Sequence, residues 1–275
     1  SQNPCGVRNR GQTKVRPVPA TPQPQPPQPQ PPQPPQPPGS LVGVGVGPGD
    51  PETVTLQAVR ALHHADRVVA PSLAADVVGR AESIVRQVAP DLVVERLVFD
   101  MSTIAGDRMA SHRAAAAALT PHLDAGEEVA FVTLGDPNIY STFSAIAAAV
   151  TDTRPNTQIR TVAGIMAFQD LAARSATVLL DGTETLQLVT ALDGPGLLER
   201  ALANEDQAVI VYKGGRHLPA ILKALANAGR IDDAVVGELL GLPGERIAAA
   251  RDWPDQPASY LATVIVAPSK RPRRP

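Results

Sequence analysis

The sequence predicts an α/β fold in two halves, each a sheet flanked by helices, and three observations carry that prediction. From Leu41 onward, short β-branched runs alternate with helix-length segments. After Ala163 the alternation changes, and several strand-like runs follow one another with fewer helices between them. Residues 1–40, by contrast, hold 14 of the 29 prolines and carry no periodic apolar pattern.

Taken in order, residues 17–38 run through repeated Pro-Gln and Pro-Pro-Gln units, a composition that buries almost nothing and favours extended polyproline II. Residues 1–40 are therefore expected to be a disordered extension, read as a linker, with a ligand for proline-recognition modules as the alternative. The first half is expected over 41–155. Its strands are Leu41–Val46, Arg67–Ala70, Val93–Arg96 and Val129–Thr133, with helices near 54–65, 74–89, 104–125 and 140–150. That strict alternation predicts a βαβ-type, largely parallel sheet. The polar segment Thr151–Thr157, with Arg154-Pro155-Asn156 inside it, marks the expected boundary. The second half, 156–268, starts with a strand at Ile159–Val162 and a helix at about 165–175. Strands at 176–180, 185–191, 207–212, 234–240 and 259–266 follow, with helices near 195–203 and 217–228. Such succession predicts a mixed sheet. Residues 269–275 are read as a basic solvated tail.

Charge divides the chain the same way. Residues 1–40 carry four basic side chains and no acidic one, and 270–275 carry four more, so 41–269 keeps 17 Lys and Arg against 27 Asp and Glu, a net charge of −10. An acidic body argues against a nucleic-acid surface, which needs clustered cations. No run approaches the length of about 18 apolar residues that a membrane-spanning helix requires, and no apolar signal-peptide core is seen. The single cysteine, Cys5, lies outside the body, which therefore offers no disulfide, iron–sulfur ligation or thiol nucleophile. This suits a reducing, cytoplasmic setting.

Two loops carry chemistry. The first strand ends in Gly43-Val44-Gly45-Val46-Gly47-Pro48-Gly49-Asp50-Pro51, a glycine-rich turn of the kind that lets backbone approach a ligand. It is no dinucleotide fingerprint, since the third glycine of G-x-G-x-x-G would fall on Pro48 or Asp50, and the chain has no G-x-x-x-x-G-K-[ST] phosphate loop. The fourth strand runs into Leu134-Gly135-Asp136-Pro137-Asn138-Ile139-Tyr140-Ser141-Thr142. Gly135 permits a close turn, and Ser141 and Thr142 bring hydroxyls to a helix start. Such groups suit recognition of a small polar molecule, and equally suit an ordinary Asp-Pro turn with helix caps. His63 and His64 point about 100° apart on their helix and cannot share a metal. No metal site is expected. No G-x-S-x-G elbow supports a hydrolase.

The two loops together, in this order, resemble the tetrapyrrole methylase family, whose marks are a G-x-G-P-G-D turn after the first strand and a G-D-P loop after the fourth. Here they stand as Gly45-Val46-Gly47-Pro48-Gly49-Asp50 and Gly135-Asp136-Pro137. Ala163-Gly164-Ile165-Met166-Ala167 is similar to the family's V-P-G-x-x-A turn, with Ala163 in place of the usual proline, and Val211-Tyr212-Lys213 resembles the strand end that lines the cofactor cleft. The likeness spans Leu41–Pro268. Within the family, Tyr140-Ser141-Thr142-Phe143, Val211-Tyr212-Lys213 with Arg216, and Gly237-Glu238-Leu239-Leu240-Gly241-Leu242-Pro243 resemble the branch that methylates precorrin-2 at carbon 20.

The resemblance implies two α/β domains with S-adenosyl-L-methionine in the cleft between them, a homodimer, and a place in cobalamin biosynthesis. It puts cofactor contacts at Pro48, Leu134, Gly135, Asp136, Ile139, Ser141, Thr142, Met166, Ala167, Lys213 and Leu240. On the tetrapyrrole side it puts Asp50, Ser102, Tyr140 and Arg216. No catalytic base is assigned. Since the acceptor bears many carboxylates, a local basic patch is expected within the acidic body, from Arg216 and Lys213. A cobalt-bearing acceptor or another acceptor of the family stays open, as does a non-catalytic cofactor or tetrapyrrole binder.

Overall fold

Strand β1, Ser40–Gly45, is buried along its whole length, and its sequence Ser-Leu-Val-Gly-Val-Gly shows why. Alternate residues face opposite sides of a sheet. Val42 and Val44 enter one core layer, while Leu41 and the glycines face the other. A Cβ on Gly43 would lie 2.6 Å from the Phe143 ring, so the glycine makes room for an aromatic core side chain. The computed structural model describes residues 38–98 and 105–269, all within one compact unit.

The first sheet is five-stranded and parallel, in the order β3-β2-β4-β1-β5, with β2 at Arg67–Ser72, β3 at Val94–Val98, β4 at Glu128–Thr133 and β5 at Gln158–Val162. Helices α1 (Leu56–His64) and α2 (Arg80–Val88) cover one face through Ala58, Leu62, Ile84 and Val85. On the other face lie α3 (Ala105–Asp124) and α4 (Thr142–Thr153), through Leu119, Leu123, Phe143 and Ile146. The sheet is thus doubly wound. After β1 the chain leaves toward α1 on one face, and after β4 toward α4 on the other. Because β1 and β4 are neighbours, a crevice opens beyond their carboxyl ends, where ligands of such sheets bind.

The boundary expected at 155/156 cuts one strand too early. β5 hydrogen-bonds in parallel to β1, so the chain leaves the first sheet only after Val162. Polar Arg154–Thr157 is merely the turn from α4 into β5.

Helix α5, Ala167–Arg174, leads to the second sheet, of order β6-β7-β10-β8-β9. Its strands are β6 (Thr185–Thr190), β7 (Gln207–Tyr212), β8 (Ala234–Glu238), β9 (Arg246–Ala249) and β10 (Thr263–Val266). Only β6 and β7 pair in parallel, so the sheet is mixed, as expected. α6 (Gly196–Ala201) and α7 (Leu218–Asn227) bury one face through Leu198, Leu218, Ile221 and Leu225. α5 packs on the other, with Leu171 against Ile210 and Ile265.

Three details differ from expectation. Segment 176–180 is not a strand, because Ala176 turns left-handed at φ 52° and Thr177 closes back on the Ala172 carbonyl. The last strand begins at Thr263 instead of 259, since Ser259–Ala262 forms a hydrogen-bonded turn. β9 was not expected, as Arg-Ile-Ala-Ala carries little strand signal of its own. It forms by pairing with β8 across a turn with positive φ at Gly241 and Gly244. Among the described residues, no helix is long and apolar enough to cross a membrane.

Candidate functional site

Three backbone segments meet at the carboxyl ends of β1, β4 and β5. The Gly135 amide donates to the Gly47 carbonyl at 2.8 Å, joining the turn after β1 to the loop after β4. A Cβ on Gly164 would lie 2.0 Å from the Gly135 carbonyl oxygen, and one on Gly45 would lie 2.4 Å from it. No side chain fits between these segments, which explains glycine at 45 and 164. Asp136 ties the same junction. Its Oδ2 accepts from the Gly164 amide at 3.1 Å and its Oδ1 from the Asn138 amide at 2.8 Å. Ser141 caps α4 by accepting from the Phe143 amide at 3.1 Å, and its hydroxyl lies 2.9 Å from Thr133 Oγ1.

These loops wall a cavity of about 240 Å³, closed on its other side by the second sheet. Pro48 comes from the turn after β1. Leu134, Gly135, Asp136, Ile139, Ser141 and Thr142 come from the loop after β4. Met166 and Ala167 stand at the start of α5, Lys213 follows β7 and Leu240 follows β8. All eleven positions that sequence resemblance marked for a cofactor therefore line one cavity, and Tyr140 joins them. Tyr212, within the Val211–Lys213 strand end expected at the cleft, lines it as well, as do Thr133 and the run Tyr260-Leu261-Ala262-Thr263, which the sequence did not mark. Tyr260–Thr263 had no local signal, because its place depends on β10 inserting between β7 and β8.

Asp50 and Arg216 do not line the cavity. The Asp50 carboxylate accepts from the Glu52 amide at 2.9 Å and pairs with Arg174 at 2.9 Å, so its capacity is spent on structure. Arg216 is exposed on a single 3-10 turn, Gly215–His217, three residues past Lys213. Gly215 packs that turn against the Ser259 carbonyl, where a Cβ would lie 1.8 Å away, and the turn carries Arg216 off the cavity wall. Ser102 lies outside the described residues.

The cavity is mainly apolar, and Tyr140, Tyr212, Tyr260, Asp136 and Lys213 are its polar side chains of note. Tyr212 Oη accepts from the Phe168 amide at 3.0 Å, and burial raises its pKa, so it stays a neutral phenol. Among the described residues, no group of three or more His, Cys, Asp or Glu could hold a metal ion. No lining residue is a histidine or cysteine. What this arrangement can do is bind a flat or extended molecule, align it and exclude water.

A family model described as Tetrapyrrole (Corrin/Porphyrin) Methylases matches residues 40–251, most of the chain. The chain belongs to the tetrapyrrole methylase family. Its methylase relatives include a precorrin-2 C(20)-methyltransferase of Sinorhizobium sp, 32% identical over 83% of this chain and 95% of the relative. A cobalt-precorrin-2 C(20)-methyltransferase of Salmonella typhimurium is 30% identical over 83% of this chain and 96% of the relative. Among solved structures, the methyltransferase CobJ superposes with a TM-score of 0.63 at 21% identity, over 86% of this chain and 97% of that one, which shows a shared fold. As a member of this methylase family, the chain is a methyltransferase.

Proposed function

We propose that this chain methylates precorrin-2 at carbon 20, using S-adenosyl-L-methionine, in cobalamin biosynthesis. The observation that supports it most is the cavity, in which loops from both sheets assemble the eleven marked residues around a mainly apolar space lined by no histidine or cysteine. The relatives' names point the same way, because two at 30% identity or more act at carbon 20.

The residues present fit the donor. Loop backbone at Leu134–Asp136, the hydroxyls of Ser141 and Thr142 and the tyrosine faces offer hydrogen bonds and aromatic surface for a cationic, adenine-bearing molecule. When bound, S-adenosyl-L-methionine supplies an electrophilic methyl group on sulfur. The chain's own task is positioning, for which Pro48, Leu240, Met166 and Ala167 supply apolar wall. Tyr140 and Tyr260, 46% and 51% exposed, stand where a macrocycle would enter, with Lys213 beside them to meet its carboxylates. Arg216 could assist only from outside the wall.

Incubation with precorrin-2 and the donor should add one methyl group by mass spectrometry, and fragmentation should place it at carbon 20. No gain would remove the reading in favour of a non-catalytic binder. Parallel assays with cobalt-free and cobalt-bearing acceptors separate the two substrates that the relatives' names offer. We further read the protein as a cytoplasmic homodimer, which sedimentation of the purified protein tests for stoichiometry.

A further inference from the structure

We propose that Arg174 is a positioning residue for the cleft, the cation that holds two adjoining loops of its wall in contact; this rests on the cofactor reading above. Arg174 is the last residue of α5 and lies outside the cavity lining. Its Nε is 2.9 Å from both carboxylate oxygens of Asp170, its Nη2 is 2.9 Å from Asp50 Oδ2, and its Nη1 is 3.0 Å from Glu245 Oε2. Asp50 ends the turn that follows β1 in the first sheet. Glu245 lies between β8 and β9 in the second. One guanidinium therefore joins both halves and the helix between them.

The loops it holds touch backbone to backbone. A Cβ on Gly49 would lie 2.0 Å from the Leu240 carbonyl, and one on Gly241 would lie 2.1 Å from the Asp50 amide nitrogen. Glu245 Oε2 accepts from the Gly241 amide at 2.6 Å, so the carboxylate that Arg174 grips also anchors the residue after Leu240. Pro48 and Leu240, two residues of that wall, thus hang on a single ion cluster.

Its charge balance makes the cluster sensitive. Three carboxylates share one guanidinium, whose fork can serve all three at once. Without it, three negative charges would crowd a partly buried site, and Asp50 and Glu245 would repel across the junction that needs the closest approach. The expected result is a loosened cleft wall in a protein that still folds, because α5 keeps Leu171 in the core.

The test is calorimetric binding of S-adenosylhomocysteine to the full chain, with thermal melting alongside. Arg174→Ala should weaken binding by about tenfold or more. Adding Glu245→Gln to that variant should restore part of the affinity, since the amide keeps an acceptor for Gly241 while removing a repelling charge, and Arg174→Lys should fall between. Salt should strengthen binding by the alanine variant, because it screens the unbalanced carboxylates. Wild-type affinity in Arg174→Ala would overturn the inference and leave the cofactor reading standing. Loss that neither Glu245→Gln nor salt relieves would also overturn it, as general destabilisation. A wild-type chain that binds no S-adenosylhomocysteine would overturn both.

Discussion

Lys213 reaches from the second sheet to the first and donates from Nζ to the Tyr140 carbonyl at 3.1 Å, with the ammonium 5.6 Å from the centre of the Tyr140 ring. Both residues have left-handed backbones, Tyr140 at φ 51° and Lys213 at φ 58°. The Tyr140 ring meets Tyr212 edge-on at 6.4 Å, and its hydroxyl lies 3.4 Å from the Leu188 carbonyl. Non-glycine residues with positive φ carry strain, and here two of them face each other at the cavity wall. The strain is held where the two halves of the cleft come together.

Backbone strain and side-chain contact at Lys213 can be separated. Lys213→Ala and Lys213→Gly both remove the ammonium and should lower S-adenosylhomocysteine affinity alike. Glycine also relieves the positive φ, so its variant should be more stable than the alanine variant by about 1 kcal/mol. Urea titration of the pair checks this.

The glycines of the junction should not be equivalent. A Cβ on Gly135 would meet only the Met166 Cα, at 4.0 Å, so Gly135→Ala suffers from its φ of 65° and should cost about 1–2 kcal/mol while leaving the loops in place. Gly164→Ala would drive a methyl into the Gly135 carbonyl and should reduce S-adenosylhomocysteine affinity about tenfold or more. Calorimetry on the two variants should show the larger loss at 164.

Acid should weaken the first half of the fold through Glu82. This buried carboxylate is held below its usual range chiefly by its hydrogen bond to Arg96, with Arg86 adding and burial opposing. A depressed pKa contributes stability above the unfolded value of 4.5, and that contribution is lost as pH falls through the lower, folded value. The urea midpoint of the wild type should therefore drop as pH falls below 4.5. Glu82→Gln should start lower at neutral pH and show a shallower drop in that window.

Truncation should respect β1. Residues 1–37 have a composition that cannot build a core, and their deletion should leave turnover within about threefold. Cutting through Ser40 removes the Ser40 amide's bond to the Glu127 carbonyl and the Gly39 carbonyl that accepts from Gln158. The melting temperature should fall for the longer deletion alone.

Most of the cavity wall was legible before folding, because its parts are local. Glycine-rich turns after β1 and β4, the Ser141 cap and the continuous apolar runs of β1 and β4 each depend on a few adjacent residues, and the mixed character of the second sheet followed from strand spacing. The sequence by itself thus determined the strands of the first sheet and most of those of the second, where the chain would turn tightly after β1 and β4, and which residues the family likeness would mark. Tertiary structure decided the rest. It placed β5 in the first sheet, brought Tyr260–Thr263 into the wall, turned Arg216 away and gathered Asp50, Asp170 and Glu245 around Arg174. Arg174 and Asp50 stand 124 positions apart, and no local period or propensity encodes a contact of that span. Such pairs form only once two separately built sheets pack together and their charges must be balanced at the junction.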